Sequence, residues 1–329
     1  MKAKIQAISY YLPEQILTNE DLVSEFPEWT IEKIVSKIGI LQRRISGKDE
    51  LSSDMAVKAA HKLFEEHQIK PENIEFVIFC TQSPDFFLPT SACIIQDRLG
   101  IPTKAGAIDF NLGCSGYIYG LAIAKGLIMA GIVSNVLLLT SETYTKFIHP
   151  TDKGNRAIFG DAAAATLISK EGFATIENFD LGTDGKGAGN LIVRNGAMRN
   201  KTTENTLGNG EMGSNNLFMN GGEIFNFTLE SVPKIVSNVL EKNALQKADV
   251  DLFIFHQANK FMLNHLRKKL AIPEEIFYYH LEDIGNTVSS TIPIAIYEAM
   301  KESKIRKSNK VLLAGFGVGY SWGGTILEF

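Results

Sequence analysis

The sequence predicts an α/β fold assembled from two copies of one layered unit, and three observations carry that prediction. Apolar, β-rich runs alternate with helix-like segments, the pattern of strands and helices stacked in layers. The second half of the chain can be laid over the first with apolar residues falling on apolar ones. A length of 329 residues at 45% apolar composition supplies core enough for one large duplicated protein.

The chain opens on "MKAKIQAISYYLP", whose apolar run is too short for a signal peptide and soon meets Pro13, so a cytoplasmic protein is expected. Helix-like residues 54–66 lead to the strand "FVIFCT" (76–81) and the loop "SPDFFLPTS" (83–91). Then "DFNLGCSGYIYGL" (109–121) sets a cysteine among small residues, between an incoming apolar segment and the helix 116–130. From Gly116 to Val133 the apolar run nears membrane-spanning length, but Lys125 and glycines at 120, 126 and 131 interrupt it, which favours a buried helix. The strand "VLLLTS" (136–141) follows, and helix 222–243, strand "LFIFH" (252–256), helix 288–303 and strand "VLLAGFG" (311–317) make up the second half.

The repeat is direct. "LFEEHQIKPENIEFVIFC" (63–80) lies on "VLEKNALQKADVDLFIFH" (239–256) without a gap, placing Cys80 on His256. "IDFNLGCSG" (108–116) lies on "HLEDIGNTV" (280–288), placing Cys114 on Asn286, and "SNVLLLTS" (134–141) on "SNKVLLAG" (308–315) with one insertion. One unit used twice predicts a pseudo-twofold arrangement, with halves at 1–172 and 173–329. Loop ends on one side of such sheets converge on a common pocket.

The net charge of −4, with Lys and Arg evenly spread, leaves no basic stripe for phosphates and disfavours nucleic acid as a partner. The three cysteines are an odd number without metal-ligand spacing, which disfavours disulfides and zinc. Cys114 stands apart because "GCSG" puts it where a strand gives way to a helix, and a helix N-terminus lowers a thiol pKa. It is the candidate nucleophile, and its own N–H can face an oxyanion. His256 ends an apolar strand in "FHQAN" (255–259), and Asn286 stands in "GNTVSS". Asn before an apolar helix is also an ordinary cap. The glycine loop "GFGVGYSWGG" (315–324) leads into a strand, not a helix, which disfavours a dinucleotide site and leaves the Gly319 N–H as a candidate second oxyanion donor.

Taken together, "DFNLGCSGYIYGL", "PTDKGNRAIFGDAAAA" (150–165), "HQAN" (256–259), "HLEDIGNTVSST" (280–291) and "GFGVGYSWGG" resemble the β-ketoacyl-acyl-carrier-protein synthase III family over nearly the whole chain. The resemblance implies the thiolase fold, a five-layered αβαβα arrangement of two duplicated halves. It implies a Cys114, His256, Asn286 triad, with the N–H groups of Cys114 and Gly319 holding the oxyanion. It further implies acylation of Cys114 by a coenzyme A or acyl-carrier-protein thioester, then decarboxylative condensation with malonyl-acyl-carrier protein, in fatty-acid or related acyl or polyketide biosynthesis. No metal or redox cofactor is expected. A biosynthetic thiolase would carry a second cysteine in the C-terminal glycine loop, which reads Gly-Phe-Gly-Val-Gly over 315–319.

The family's coenzyme A contacts are altered. The tryptophan position reads Lys33 and the arginine after it Lys37, with Trp29 out of register; the arginine of "PTDKG" is Lys153, and the one after "HQAN" is Phe261. Lysine lacks the planar fork of arginine. The expected first acyl donor is therefore not restricted to acetyl-coenzyme A and extends to longer or protein-borne groups. Gly221 and Phe225 match the family's entrance tunnel, and Asn259 falls among the substrate contacts. Val318 replaces a glycine of the loop. Leu88 matches the tip of a loop that in family homodimers reaches the neighbour's acyl pocket. Two rivals stay open: a thiolase-fold acyltransferase that hands the Cys114-bound acyl group to an alcohol or amine, and a non-catalytic partner subunit.

Overall fold

The computed structural model of the chain describes residues 2–201 and 215–329. Strand β1 (Lys4–Tyr11) is followed by the antiparallel pair β2 (Gln15–Thr18) and β3 (Gln42–Ile45), which flank helices α1 (Asn19–Glu25) and α2 (Ile31–Ile38). Next come α3 (Ser52–His67), β4 (Phe76–Cys80), α4 (Ser91–Arg98), β5 (Gly106–Phe110), α5 (Gly116–Met129), β6 (Val136–Glu142), α6 (Lys153–Arg156) and β7 (Ala162–Ser169). Strand β8 (Ala174–Thr183) leads to β9 (Leu191–Ile192), β10 (Phe218–Met219) and α7 (Gly221–Lys242). The chain ends with β11 (Leu252–Phe255), α8 (Lys260–Lys269), α9 (Thr291–Lys301), β12 (Lys310–Gly317) and β13 (Ser321–Glu328).

Among the described residues, nine strands form one sheet in the order β11-β12-β13-β8-β1-β7-β6-β4-β5. From its centre outward the sheet repeats. On one side β1, β7, β6, β4 and β5 are joined by two antiparallel and then two parallel pairings. On the other, β8, β13, β12 and β11 are joined by two antiparallel pairings and a parallel one, and a parallel bridge from Phe253 to Phe277 stands where β5 does. The two sides meet at Lys4 with Thr175 and Ile5 with Ala174. Cys80 closes β4 as His256 follows β11, and Cys114 precedes α5 as Asn286 precedes α9.

Alternation along the strands builds the layers. Ile78, Val136 and Leu138 face one way and pack with Leu252, Ile254, Val311 and Leu313 around α5 and α9, through Ile118, Leu121, Ile292 and Ile296. Val77, Phe79, Leu137 and Leu139 face the other way onto Met55, Leu63 and Ile95 of α3 and α4. Phe253, Phe255 and Leu312 do the same onto Val232, Ile235 and Leu263 of α7 and α8. Each fully buried large aliphatic side chain contributes about 1.5–3 kcal/mol. The central helix pair is thus covered on both faces over most of its length, which is why 116–124 reads as nearly continuous apolar sequence. No helix among the described residues is long and apolar enough to cross a membrane.

Element boundaries follow the sequence closely except at α9. A helix was expected over 288–303, but Val288 has φ +54°, residues 288–290 form a single 3-10 turn, and the α-helix begins at Thr291. A β-branched residue in the left-handed region cannot continue a right-handed helix.

Candidate active site

Two of the central helix starts and the ends of β11 and β12 meet around Cys114. The thiol is buried, 7% exposed, and precedes the N-cap Ser115 of α5. Two glycines, Gly315 and Gly317, bring backbone onto it, and Gly113 precedes it in the chain. Gly315 lies so close that a β-carbon there would be 2.8 Å from the Cys114 carbonyl oxygen. Gly317 leaves the space the sulfur fills. The open side of Gly113 is walled by Gln82 Oε1, Val318 and Val288, at 2.5, 2.8 and 3.2 Å from where a β-carbon would stand.

Burial pushes the Cys114 thiol up to about 12, against the Val318 N–H, with Glu142 raising it further and its own N–H lowering it. The expected lowering by the helix start is therefore corrected: the resting group is a protonated thiol. Two of the N–H groups at the start of α5 are already spent, Gly116 donating to the Gly113 carbonyl at 2.7 Å and Ile118 to the Ser115 carbonyl at 3.1 Å. The Gly319 N–H is not among the groups shown to bear on the thiol. Beside the Cys114 N–H, the one lying against the thiol belongs to Val318, not Gly319. Val318 is the first residue past the β12 ladder, which ends at Gly317, so its N–H is released from strand pairing toward the sulfur.

His256 is 2% exposed, anchored by its N–H to Ala314 at 2.8 Å. Burial pushes its imidazole down to about 3, with the Val288 carbonyl acting the other way, so the ring is neutral at ordinary pH. Its Nδ1 lies 2.8 Å from Thr291 Oγ1. Asn286 is held by main-chain bonds to Ile158 (2.9 Å) and from Gly160 (3.0 Å). Its Oδ1 accepts the Val288 N–H at 2.9 Å, which fixes the amide and leaves Nδ2 as a donor. Val288 thus touches two of the three residues, its N–H holding Asn286 and its carbonyl facing His256, and its side chain packs beside Gly113, the neighbour of Cys114.

Further groups around the thiol were not singled out from the sequence. Glu142, fully buried at the end of β6, is pushed up to about 8 by burial, although the Gln82 N–H and the Ser83 and Ser289 hydroxyls oppose this. The Tyr144 hydroxyl donates to Gln82 Oε1 at 3.2 Å, and Gln82 Nε2 to Asn111 Oδ1 at 3.1 Å. Tyr144 belongs to the same buried cluster as Cys114, and burial holds its hydroxyl well above the usual phenol range. The sequence marks Glu142 only as the one charged residue of the strand "VLLLTSE", which does not reveal its partners.

The expected substrate contacts fall in a second group. Phe225 of α7 and Phe261 of α8 have ring centroids 5.6 Å apart, and His265 packs on both. Gly221 starts α7 behind its cap Asn220, and Lys260 packs on Gly39, tying α8 to the end of α2, where Lys37 is exposed. Lys153 pairs with Glu28, its Nζ 5.7 Å from the Trp29 ring centre. Asn259 caps α8 through Oδ1, accepting from Met262 at 2.8 Å, so that oxygen is committed to the fold. Leu88 is 82% exposed on the β4–α4 loop, away from the cluster holding Cys114 in its own chain.

Residues 108–185 match the family described as 3-oxoacyl-[acyl-carrier-protein] synthase III, and residues 240–329 match its C-terminal part. The chain is 35% identical to a β-ketoacyl-[acyl-carrier-protein] synthase III of Caldanaerobacter subterraneus, over 99% of this chain and 98% of that one. This chain belongs to the synthase III family. It is 37% identical to β-ketoacyl-[acyl-carrier-protein] synthase III 2 of Halalkalibacterium halodurans, over 100% and 97% of the two chains. Among solved structures, a 3-oxoacyl-(acyl-carrier-protein) synthase III superposes with TM-score 0.97 at 45% identity over the whole of both chains. The Thermus thermophilus synthase III gives 0.89 at 34% over 99% of each. The fold is the five-layered thiolase fold of this synthase III family, and α5 and α9 are its middle layer.

Proposed function

We propose that this chain is a β-ketoacyl-acyl-carrier-protein synthase III. It takes an acyl group from a coenzyme A or acyl-carrier-protein thioester onto Cys114 and condenses it with malonyl-acyl-carrier protein, in fatty-acid or related acyl biosynthesis. The observation that carries this reading is a buried thiol set against two main-chain N–H groups and served by a neutral imidazole and a carboxamide. The Glu142 carboxyl group beneath them is tied to Gln82, Ser83 and Ser289.

The chemistry follows from those groups. Cys114 Sγ gives its proton to His256, bonds to the acyl carbon, and the departing thiolate takes the proton back. The Cys114 and Val318 N–H groups hold the negative oxygen of the intermediate. In the second step the malonyl carboxylate leaves as carbon dioxide, and its bonding pair forms an enolate whose oxygen accepts hydrogen bonds from His256 and Asn286 Nδ2. The enolate carbon attacks the acyl-cysteine, Cys114 leaves as thiolate, and a solvent proton restores the thiol. Decarboxylation supplies the carbanion, so no side chain has to remove a carbon-bound proton.

The halves, 1–172 with the nucleophile and 173–329 with His256, Asn286 and the glycine loop, share the site between them. Lys37, Lys153, Gly221, Phe225 and Phe261 line the approach of the carrier, a reading supported by exposed Lys37 and by the aromatic contact between α7 and α8. The working unit is a homodimer, supported by the exposed apolar tip at Phe87 and Leu88. Intact-protein mass spectrometry with a panel of acyl-coenzyme A and acyl-carrier-protein donors tests the reading, beside Cys114→Ala. An adduct absent from Cys114→Ala and discharged by malonyl-carrier protein as a β-ketoacyl product is expected. An adduct that malonyl-carrier protein leaves in place would make the chain a plain acyltransferase.

A further inference from the structure

We propose that the Thr291 hydroxyl is a two-position proton partner for His256, which lets the imidazole present either a lone pair or an N–H to the Cys114 pocket. This rests on the role given to His256 above. That role makes opposite demands on one nitrogen. To receive the thiol proton, Nε2 needs a bare lone pair; to hold the enolate oxygen, it needs a hydrogen. A neutral imidazole carries one proton, so each demand calls for a different tautomer.

The surroundings of Nδ1 permit both. Thr291 is 1% exposed, and its Oγ1 lies 2.8 Å from His256 Nδ1 and 3.0 Å from the Val288 carbonyl oxygen. With the hydroxyl turned to Val288, Oγ1 accepts from Nδ1–H, and Nε2 is left bare. With the hydroxyl turned to Nδ1, the ring proton sits on Nε2. Both arrangements hold the same number of protons and differ by rotation of one hydroxyl and relocation of one ring proton. Besides Thr291 Oγ1 at Nδ1, the ring meets the Val288 carbonyl, which can only accept, so these two groups set the tautomer. The carbonyl that competes for the hydroxyl belongs to Val288, whose left-handed conformation at φ +54° is costly for a β-branched residue. That conformation turns its N–H to Asn286 and leaves its carbonyl beside Thr291 and His256.

Thr291→Val keeps the shape and removes the hydroxyl, leaving the Val288 carbonyl as acceptor for Nδ1–H and the lone pair fixed at Nε2. Loading of Cys114, read by intact mass, should then change by less than about threefold, while carbon dioxide release from malonyl-carrier protein falls about tenfold or more. Thr291→Ser should bring release back to within about threefold of the unaltered protein. Equal falls in both steps, or unchanged release in a folded Thr291→Val protein, would overturn the proposal. Nitrogen-15 shifts of His256 give a reading that needs no variant: both tautomers populated is expected, and a single tautomer, the same before and after loading, overturns it. Failure of the underlying reading looks different, since the unaltered protein would then neither load Cys114 nor release carbon dioxide, while the nitrogen shifts would still decide the tautomer.

Discussion

A β-carbon on Gly317 would stand 2.7 Å from the Cys114 sulfur and 2.8 Å from its Cβ, so the bare edge of β12 is the space in which the thiol sits. That close approach also sets the Val318 N–H against the thiol. Gly317→Ala should displace the sulfur and separate it from the Val318 N–H, the oxyanion donor proposed above. The expected result is a fall of about 100-fold in the rate of Cys114 loading, with a stability loss of about 1–3 kcal/mol from overpacking. Loading kinetics by intact mass and a denaturant titration check the two parts; loading at the unaltered rate would show that the contact does not govern the site.

Gly126 is the contrasting case. It lies exposed within α5, with nothing inside 4 Å of where a β-carbon would go. Gly126→Ala should stabilise the protein by about 0.5–1 kcal/mol through helix propensity alone and leave loading unchanged. A calorimetric melt decides it.

Tyr144 and Gln82 set the expected length of the acyl group. Their hydrogen bond, continued to Asn111, makes a satisfied polar wall beside Gly113 and Cys114, and a long chain would have to break it. Breaking one such bond without replacement costs about 1–3 kcal/mol. Short acyl donors should therefore load Cys114 at least about tenfold faster than eight-carbon ones, and Tyr144→Leu should shrink that ratio. This argues for a short primer over the longer one that the altered coenzyme A contacts left open. Equal loading of both lengths by the unaltered protein would remove the wall from consideration.

What could be read in advance depended on how local its cause was. The repeat was legible because apolar positions of β4 and β11 must alternate in the same way to pack on the same central helices. Cys114 and Asn286 inherited their places from it. The Val318 N–H was missed because the direction of one main-chain group depends on where β12 leaves its ladder, which composition does not show. The surroundings of Glu142 were hidden because its partners Gln82, Ser83 and Ser289 come from segments far apart in the chain. The elevated thiol pKa is likewise tertiary: the helix start is a local sign, and the burial that outweighs it is not. Thr291 stayed hidden because a helix drawn from 288 makes it an interior residue, whereas Val288 turns left-handed and Thr291 begins α9 beside His256.

Two buried groups should shape the stability of the fold against pH, with opposite signs. His256 falls from 6.5 to about 3 on folding, so between those values the unfolded chain binds the extra proton. Its contribution is intact above about pH 6.5 and is lost as pH falls toward 3. Glu142 rises from 4.5 to about 8, so there the folded chain holds the extra proton. Its contribution is present below about pH 4.5 and is lost as pH rises toward 8. His256→Gln should flatten the acid limb of unfolding free energy between about pH 3 and 6.5, and Glu142→Gln should remove the decline between about pH 4.5 and 8. Urea titrations across pH 4 to 9 would show this, and parallel curves for variant and unaltered protein would mean that these groups are not the ones titrating.

The exposed tip of the β4–α4 loop calls for a covering surface. Phe86, Phe87 and Leu88 are 59%, 82% and 82% exposed in succession, an apolar patch that a soluble chain rarely leaves open. The nearby edge strand β5 also leaves Ile108 36% exposed beside unpaired strand backbone. A second copy of the chain related by a twofold axis would cover both at once, since an isologous contact sets the same patch against itself. Light scattering should therefore give twice the chain mass for the unaltered protein, and Phe87→Asp should shift it toward the monomer by placing a charge in the desolvated contact. Leu88→Ala should leave the dimer largely intact but change the ratio of short to long acyl donors accepted, because a tip that enters the neighbour's acyl pocket forms part of its wall. A monomeric unaltered protein would refute the first expectation, and an unchanged donor ratio in a dimeric Leu88→Ala protein the second.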